Sequence, residues 1–147
     1  MADRREFLYA LGGLAAAQAL PALAQTDVLA PLVAAFTGGA PLRVGRVTLE
    51  TPLLADNGNA VPLRISVESA MSATDYVQRI TVLAEKNPRP VIATFHLGPG
   101  NGHAQIATRV RLNGAQRLMA IAQFSDGSYW SGFADVVVTS TACWDES

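Results

Sequence analysis

The chain has 147 residues and a formal net charge of -1; 50% of its residues are hydrophobic and 16% are charged. This length and apolar content predict one folded domain and exclude an intrinsically disordered protein. Lys plus Arg number 11 against 12 Asp plus Glu, so no basic excess is present to neutralise phosphates, and nucleic-acid binding is not expected. The single cysteine, Cys143, excludes an internal disulfide framework and a multi-cysteine zinc site.

The first 24 residues have the layout of an export signal. Arg4 and Arg5 precede an uncharged stretch, residues 7–26, which contains the small-residue sequence Ala22-Leu23-Ala24 typical of a cleavage site. The adjacent arginines favour a twin-arginine signal, which predicts a periplasmic protein with no membrane segment after cleavage of residues 1–24. The alternative is an uncleaved anchor, because about 20 uncharged residues are long enough to span a bilayer. Glycines, a glutamine and a proline dilute that run and favour the cleaved signal.

The region after the leader predicts a short helix followed by β-strands. Asp27 is positioned to cap a helix that runs to Phe36, and Gly38-Gly39 ends it. From there the apolar period changes from about 3.6 to about 2 residues. Turn signals such as Asn57-Gly58 and Asp126-Gly127 separate about seven strands, which we expect near residues 44–49, 61–67, 80–85, 91–97, 106–112, 118–124 and 130–139.

This pattern is typical of an all-β, immunoglobulin-like antiparallel β-sandwich, here with a short N-terminal helix. No linker interrupts it, so we predict one domain over residues 25–139, followed by a C-terminal segment of residues 140–147. The largely apolar run 91–97 is predicted to be buried on both faces.

Residues that could support catalysis are scarce. The two histidines, His96 and His103, do not have the spacing of a metal motif, so we expect core or surface histidines, with no metal and no cofactor. No Gly-x-Ser-x-Gly sequence is present, and we assign no catalytic residue. An enzyme would need a pocket built around one of the histidines. Arg109 and Arg111 share one strand face, which is either a solvated face or a weak indication of an anion site.

Cys143 is the residue that most needs explanation. It lies four residues beyond Thr139, where the last predicted strand ends, and chain termini fray unless other contacts hold them. Four extended residues reach about 13–14 Å. An unpaired thiol on such an arm, in an exported protein, can form a covalent bond and be presented inside another protein's pocket.

At this point the sequence resembles the SoxY family, the sulfur-substrate carriers of the bacterial thiosulfate-oxidising (Sox) system. The resemblance covers nearly the whole chain after the leader. It rests on the order and spacing of short segments, namely Phe36-Thr37-Gly38-Gly39, Arg46-Val47-Thr48-Leu49, Asp56-Asn57-Gly58-Asn59-Ala60-Val61-Pro62, Asn87-Pro88-Arg89-Pro90, Ala93-Thr94-Phe95-His96-Leu97, Thr108-Arg109-Val110-Arg111-Leu112 and Ser125-Asp126-Gly127-Ser128.

The resemblance implies a carrier that is not itself an enzyme. It implies a heterodimer with a SoxZ-like subunit, which is another small β-sandwich. It also implies a haem-containing protein that joins the carrier cysteine oxidatively to thiosulfate, and a hydrolase that then releases sulfate. By position, Cys143 matches the cysteine to which the substrate group is covalently attached.

The C-terminal segment departs from the family pattern, which ends Gly-Gly-Cys-Gly-Gly. Here Thr141 replaces a flexible residue, Trp144 is the bulkiest side chain available, and Asp145 and Glu146 bring negative charge close to Cys143. Nearby negative charge disfavours the thiolate and repels an anionic adduct. Three explanations compete: a carrier with modified partners, a paralogue that pairs but has lost sulfur transfer, and a frameshift or early stop.

Overall fold

A computed structural model describes residues 28–140 as one short α-helix followed by nine β-strands, with a three-residue 3₁₀ helix, Pro99–Asn101, between the sixth and seventh strands. The helix is α1 (Ala30–Thr37). The strands are β1 (Leu42–Val44), β2 (Val47–Glu50), β3 (Leu54–Ala55), β4 (Val61–Val67), β5 (Val77–Ala84), β6 (Val91–His96), β7 (Ala104–Val110), β8 (Gln116–Phe124) and β9 (Tyr129–Val138). The predicted leader, residues 1–24, and the residues from 141 onward, including Cys143, lie outside the described residues. Within residues 28–140, no helix has both the length and the apolarity required to cross a membrane.

The strands form two sheets that pack face to face. The larger sheet has the order β1-β9-β8-β5-β6, with β3 also paired to β9, and the smaller sheet has the order β2-β4-β7. All pairs are antiparallel except β1 with β9 and β3 with β9, which are parallel. The predicted all-β, immunoglobulin-like sandwich with a short N-terminal helix is confirmed. The sequence predicted about seven strands, and the two very short parallel strands β1 and β3 are the main addition.

The core lies between the sheets and follows from strict alternation along the strands. In β4, Val61, Leu63, Ile65 and Val67 are buried while the residues between them face outward. Alternate side chains of a strand point to opposite faces, so these four residues meet the inner faces of β5 and β8 across the sandwich.

Helix α1 covers part of the outer face of the larger sheet and creates a second apolar cluster there. Leu29, at the start of the helix, packs with Leu83 of β5 and with Met119 and Ile121 of β8. Farther along, the Phe36 ring meets the Tyr129 ring edge-on at 5.8 Å. This cover makes β5 and β8, rather than β6, the strands that are buried on both faces.

Two predictions about burial and helix boundaries are wrong. The run from Val91 to Leu97 forms β6, whose side chains are exposed or half-buried, because β6 is an edge strand that α1 does not reach. The helix starts at Ala30 with Leu29 in the capping position, whereas Asp27 lies outside the described residues. Val28 is 58% exposed because it precedes the first turn of the helix.

The two sheets approach closely where β2 crosses β9. A Cβ atom added to Gly132 would collide with the carbonyl oxygen of Val47 and would lie 2.9 Å from the carbonyl carbon of that residue. It would also lie 3.3 Å from a methyl group of Leu49. Only glycine fits at position 132 because the backbone of the other sheet occupies the space of a side chain. The backbone angle of Gly132 is not the reason, since it lies outside the region that favours glycine.

We expect Gly132→Ala to lower the free energy of unfolding by about 1–3 kcal/mol, because the added methyl group forces the sheets apart. Gly100→Ala is the matched control, since a Cβ there meets nothing within 4 Å, and it should change stability by less than about 0.5 kcal/mol. Urea unfolding followed by circular dichroism measures both changes. Equal losses in the two variants would contradict the close approach.

Candidate functional site

The C-terminal part of β9 determines where the segment that carries Cys143 leaves the domain. Beyond the end of the strand, the Thr139 N–H donates to the Ala55 carbonyl at 3.0 Å, and the Thr139 hydroxyl donates to the Asp56 carbonyl at 3.2 Å. The Ser140 carbonyl then accepts a hydrogen bond of 2.7 Å from the Gly58 N–H. The strand thus ends one residue before the predicted Thr139, but the backbone is hydrogen-bonded as far as Ser140, and Cys143 follows three residues later.

Gly58 connects this exit point to the turn between β7 and β8. While its N–H donates to Ser140, its carbonyl accepts a hydrogen bond of 2.8 Å from the Leu112 N–H. Ser140, Gly58 and Leu112 are therefore neighbours at one end of the sandwich. We call this the arm end; it consists of residues 56–60, 85–90, 111–115 and 139–140.

A buried polar network holds the turns of the arm end together. Asn87 is only 4% exposed; its side-chain amide donates to the Arg111 carbonyl at 2.7 Å, and its oxygen accepts from the Asn113 N–H at 2.9 Å. The same oxygen accepts a bond of 3.1 Å from the Gln116 side chain, which in turn accepts one of 3.0 Å from the Lys86 N–H. The sequence indicates Asn87 only as part of a segment that resembles the SoxY family and gives no signal for Gln116, because their contact joins two turns that are distant in sequence.

A groove with three arginines opens between the edge strands β6 and β7. It has a volume of about 530 Å³ and begins at the arm end. We call it the arginine groove; its lining includes Arg89, Arg109 and Arg111 together with Val91, Ile92 and Phe95. None of its lining residues is acidic. The sequence indicates only the pair Arg109 and Arg111. It does not indicate that Arg89 lies beside them, because Arg89 belongs to a different turn.

The part of the larger sheet's outer face that α1 leaves uncovered exposes several large apolar side chains beside charged ones. Along β9 and its parallel neighbours lies a row that we call the apolar strip, whose side chains are between 45% and 74% exposed: Val44, Leu54, Phe133 and Val137. Asp135 lies between Phe133 and Val137 on the same face of β9. Its carboxylate is 2.7 Å from the Arg117 guanidinium, which also lies 5.9 Å from the Phe133 ring. The hydrogen bond from Arg117 lowers the pKa of Asp135. An exposed apolar row of this kind is typical of a protein-binding surface.

The predicted histidines do not form a site. His96 at the end of β6 and His103 before β7 are both exposed, and neither lines the arginine groove. Within residues 28–140, no group of three or more His, Cys, Asp or Glu side chains could hold a metal ion.

The sequence profile of one protein family, described as sulfur oxidation protein SoxY, matches residues 33–143. The chain belongs to the SoxY family. The matched region includes α1 from its second turn, all nine strands and the segment as far as Cys143. No curated protein matches the chain.

Solved structures with the same fold include a sulfur carrier protein and superoxide reductases. The sulfur carrier protein SoxY from Chlorobium limicola f thiosulfatophilum has a TM-score of 0.64 at 22% identity, with 76% of this chain and 96% of that chain covered. A superoxide reductase (neelaredoxin) from Ignicoccus hospitalis has a TM-score of 0.57 at 17% identity, covering 64% and 80%. The superoxide reductase from Nanoarchaeum equitans has a TM-score of 0.55 at 13% identity, covering 65% and 100%. At these identities the likeness concerns the fold alone.

We expect Asn87→Ala to lower the free energy of unfolding by about 2–3 kcal/mol, because the Arg111 carbonyl and the Asn113 N–H lose the bonds that Asn87 makes with them. In addition, the Gln116 amide keeps only its bond to the Gly114 carbonyl. Asn57→Ala is the control, since its side chain accepts a bond of 2.9 Å from the Asn59 N–H on an exposed turn, and it should cost less than about 1 kcal/mol. Chemical denaturation of both variants checks this order. If Asn57→Ala cost as much as Asn87→Ala, the network would not be what holds the arm end.

Proposed function

We propose that the protein is a periplasmic sulfur-compound carrier that binds thiosulfate-derived groups covalently through Cys143. The observation that carries the proposal is the match to the SoxY profile, which extends as far as Cys143. The leader of twin-arginine type, residues 1–24, supports the location. In this proposal the body of the domain is a rigid holder and contributes no catalytic residue.

The chemistry required of the carrier is a disulfide-type conjugation. The Cys143 thiol loses its proton, a bond forms between its sulfur and the terminal sulfur of thiosulfate, and two electrons pass to a haem-containing protein. A hydrolase then adds water and releases sulfate, which leaves a sulfane sulfur on Cys143. Both partners must reach the thiol, so its position relative to the domain matters.

The arm end suits this role because it fixes the point at which the C-terminal segment leaves the domain, and only three residues separate Ser140 from Cys143. The last described backbone hydrogen bond is at Ser140, and three extended residues reach about 10–11 Å. The Asn87 network keeps that origin rigid, so a partner docked on the domain meets Cys143 within a small volume.

A SoxZ-like subunit is the partner we assign to the apolar strip, in a heterodimer. The family belongs to a system with partner proteins, and Phe133 and Val137 are large apolar side chains that remain 45% and 53% exposed in this chain. Covering them removes apolar surface from water, which is the usual driving force of a stable protein interface.

A second candidate is a SoxY-like interaction module that pairs with its partner but has lost sulfur transfer. The altered segment favours it, because Trp144, Asp145 and Glu146 add bulk and negative charge beside Cys143. This candidate keeps the apolar strip as an interface and gives the thiol no role.

We expect the wild-type chain, incubated with thiosulfate and the haem-containing conjugating protein, to gain the mass of one thiosulfate-derived group, and Cys143→Ser to gain none. Intact-mass spectrometry with and without a reductant measures the adduct, which reduction should remove because it is bound through a sulfur–sulfur bond. A wild-type chain that binds its partner but never forms the adduct would instead establish the interaction module.

We expect Phe133→Ser and Val137→Ser each to weaken binding of a SoxZ-like subunit about fivefold or more, because each removes apolar contact from the interface. Val91→Ser is the matched control, since Val91 is 47% exposed but lies on β6, away from the apolar strip. Titration calorimetry gives the dissociation constants. A loss in Val91→Ser with none in the other two would place the interface on the β6 edge.

A further inference from the structure

We propose that the acidic sequence after Cys143, Trp144-Asp145-Glu146, docks in the arginine groove and holds the thiol against the domain. In this proposal the groove binds a short acidic peptide, and the C-terminal segment of the same chain is that peptide. The inference concerns this chain's own tail and does not require that Cys143 carries sulfur.

The charge of the groove favours an acidic occupant. Arg89, Arg109 and Arg111 line a single groove that has no acidic lining residue. Within residues 28–140 the one ion pair joins Arg117 to Asp135, so the three arginines have no carboxylate partner in that part of the chain. Three guanidinium groups in one groove repel one another and favour an anionic occupant.

The acidic residues lie close enough to Ser140 along the chain to reach the arginine groove. Ser140 and Leu112 are each one hydrogen bond from Gly58, which places their backbones within about 11 Å of each other. Arg111 is the residue before Leu112. Asp145 follows Ser140 by five residues, which span up to about 17 Å when extended. The acidic residues can therefore reach the mouth of the groove without any movement of the domain.

The arginine groove also has an apolar surface that suits Trp144. The groove has an apolar wall that includes Val91, Ile92 and Phe95 beside its arginines. Trp144 offers a large apolar ring that can pack on this wall or lie against a guanidinium group. Single exposed ion pairs are weak, so the burial of the indole is what makes docking of such a short segment favourable.

Docking is intramolecular, which compensates for its low intrinsic strength. A short tether keeps the tail at an effective concentration in the millimolar range near the groove. In the docked state Cys143 lies between the last hydrogen bond at Ser140 and the docked Trp144, and its access to partners is restricted.

The test is the rate at which neutral iodoacetamide alkylates Cys143 in the full chain, measured on the plateau of the pH–rate profile, where the thiol is fully ionised. We expect about three- to tenfold slower alkylation of the wild type at low salt than in 1 M NaCl, where the Debye length is about 3 Å. The double variant Asp145→Asn/Glu146→Gln, which changes no residue of the described domain, should react at the fast rate in both conditions.

Arg111→Gln separates docking from a simple field effect. Removing a positive charge without undocking would raise the pKa of the thiol and, with a Brønsted slope of about 0.4–0.5, would raise the plateau rate only slightly, whereas undocking raises that rate to that of the double variant. Arg64→Gln is the matched control, because Arg64 is an exposed arginine on β4 that does not line the groove, and it should behave as the wild type. Equal plateau rates for the wild type and the double variant at low salt would overturn the proposal and leave the groove to an acidic segment of a partner.

Discussion

The pairing of β9 on both of its edges is the constraint on which the rest of the structure depends. On one edge it joins β8 along nearly its whole length, and on the other it joins β1 and then β3 in parallel. Its inner face meets β2 so closely that only glycine fits at position 132. Because the same strand continues in hydrogen-bonded form to Ser140, the packing that stabilises the sandwich also fixes the origin of the segment that carries Cys143.

The fold was largely predictable because its dominant signal is local. Alternation along residues 61–67 gives β4 directly, and the Asp126-Gly127 step gives the hairpin between β8 and β9, with Gly127 at a φ of 84°. The burial of β6 was not predictable, because the apolar composition of residues 91–97 is the same whether a helix covers the strand or not. Only the tertiary position of α1 decides that β5 and β8 are covered on both faces.

The candidate site was predictable only in part, and for a related reason. The sequence indicates Cys143 because it is the single cysteine, and it indicates Arg109 and Arg111 because they are two residues apart on one strand. It does not show that Arg89 joins them, since Arg89 follows β5 in one sheet and Arg109 lies on β7 in the other. The resemblance segments around Arg46 and Asn87 prove to hold turns in place: Arg46, at a φ of 59°, bonds the Glu68 carbonyl and stacks 4.0 Å from the Phe124 ring.

The fold does not by itself choose between carrier and enzyme, because superoxide reductases share it. Which of these two functions the domain supports depends on the residues that follow the arm end, including Cys143. Undocked, Asp145 and Glu146 disfavour the thiolate of Cys143 and repel an anionic adduct; docked on three arginines, their charges are compensated and the local field at the thiol becomes less negative. With the tail docked as proposed, a carrier of this kind would need a partner that draws the tail from the groove before transfer, and a basic entrance on that partner can do so by offering the same two carboxylates an alternative site. On this view the acidic residues that depart from the family pattern select which proteins gain access to the thiol.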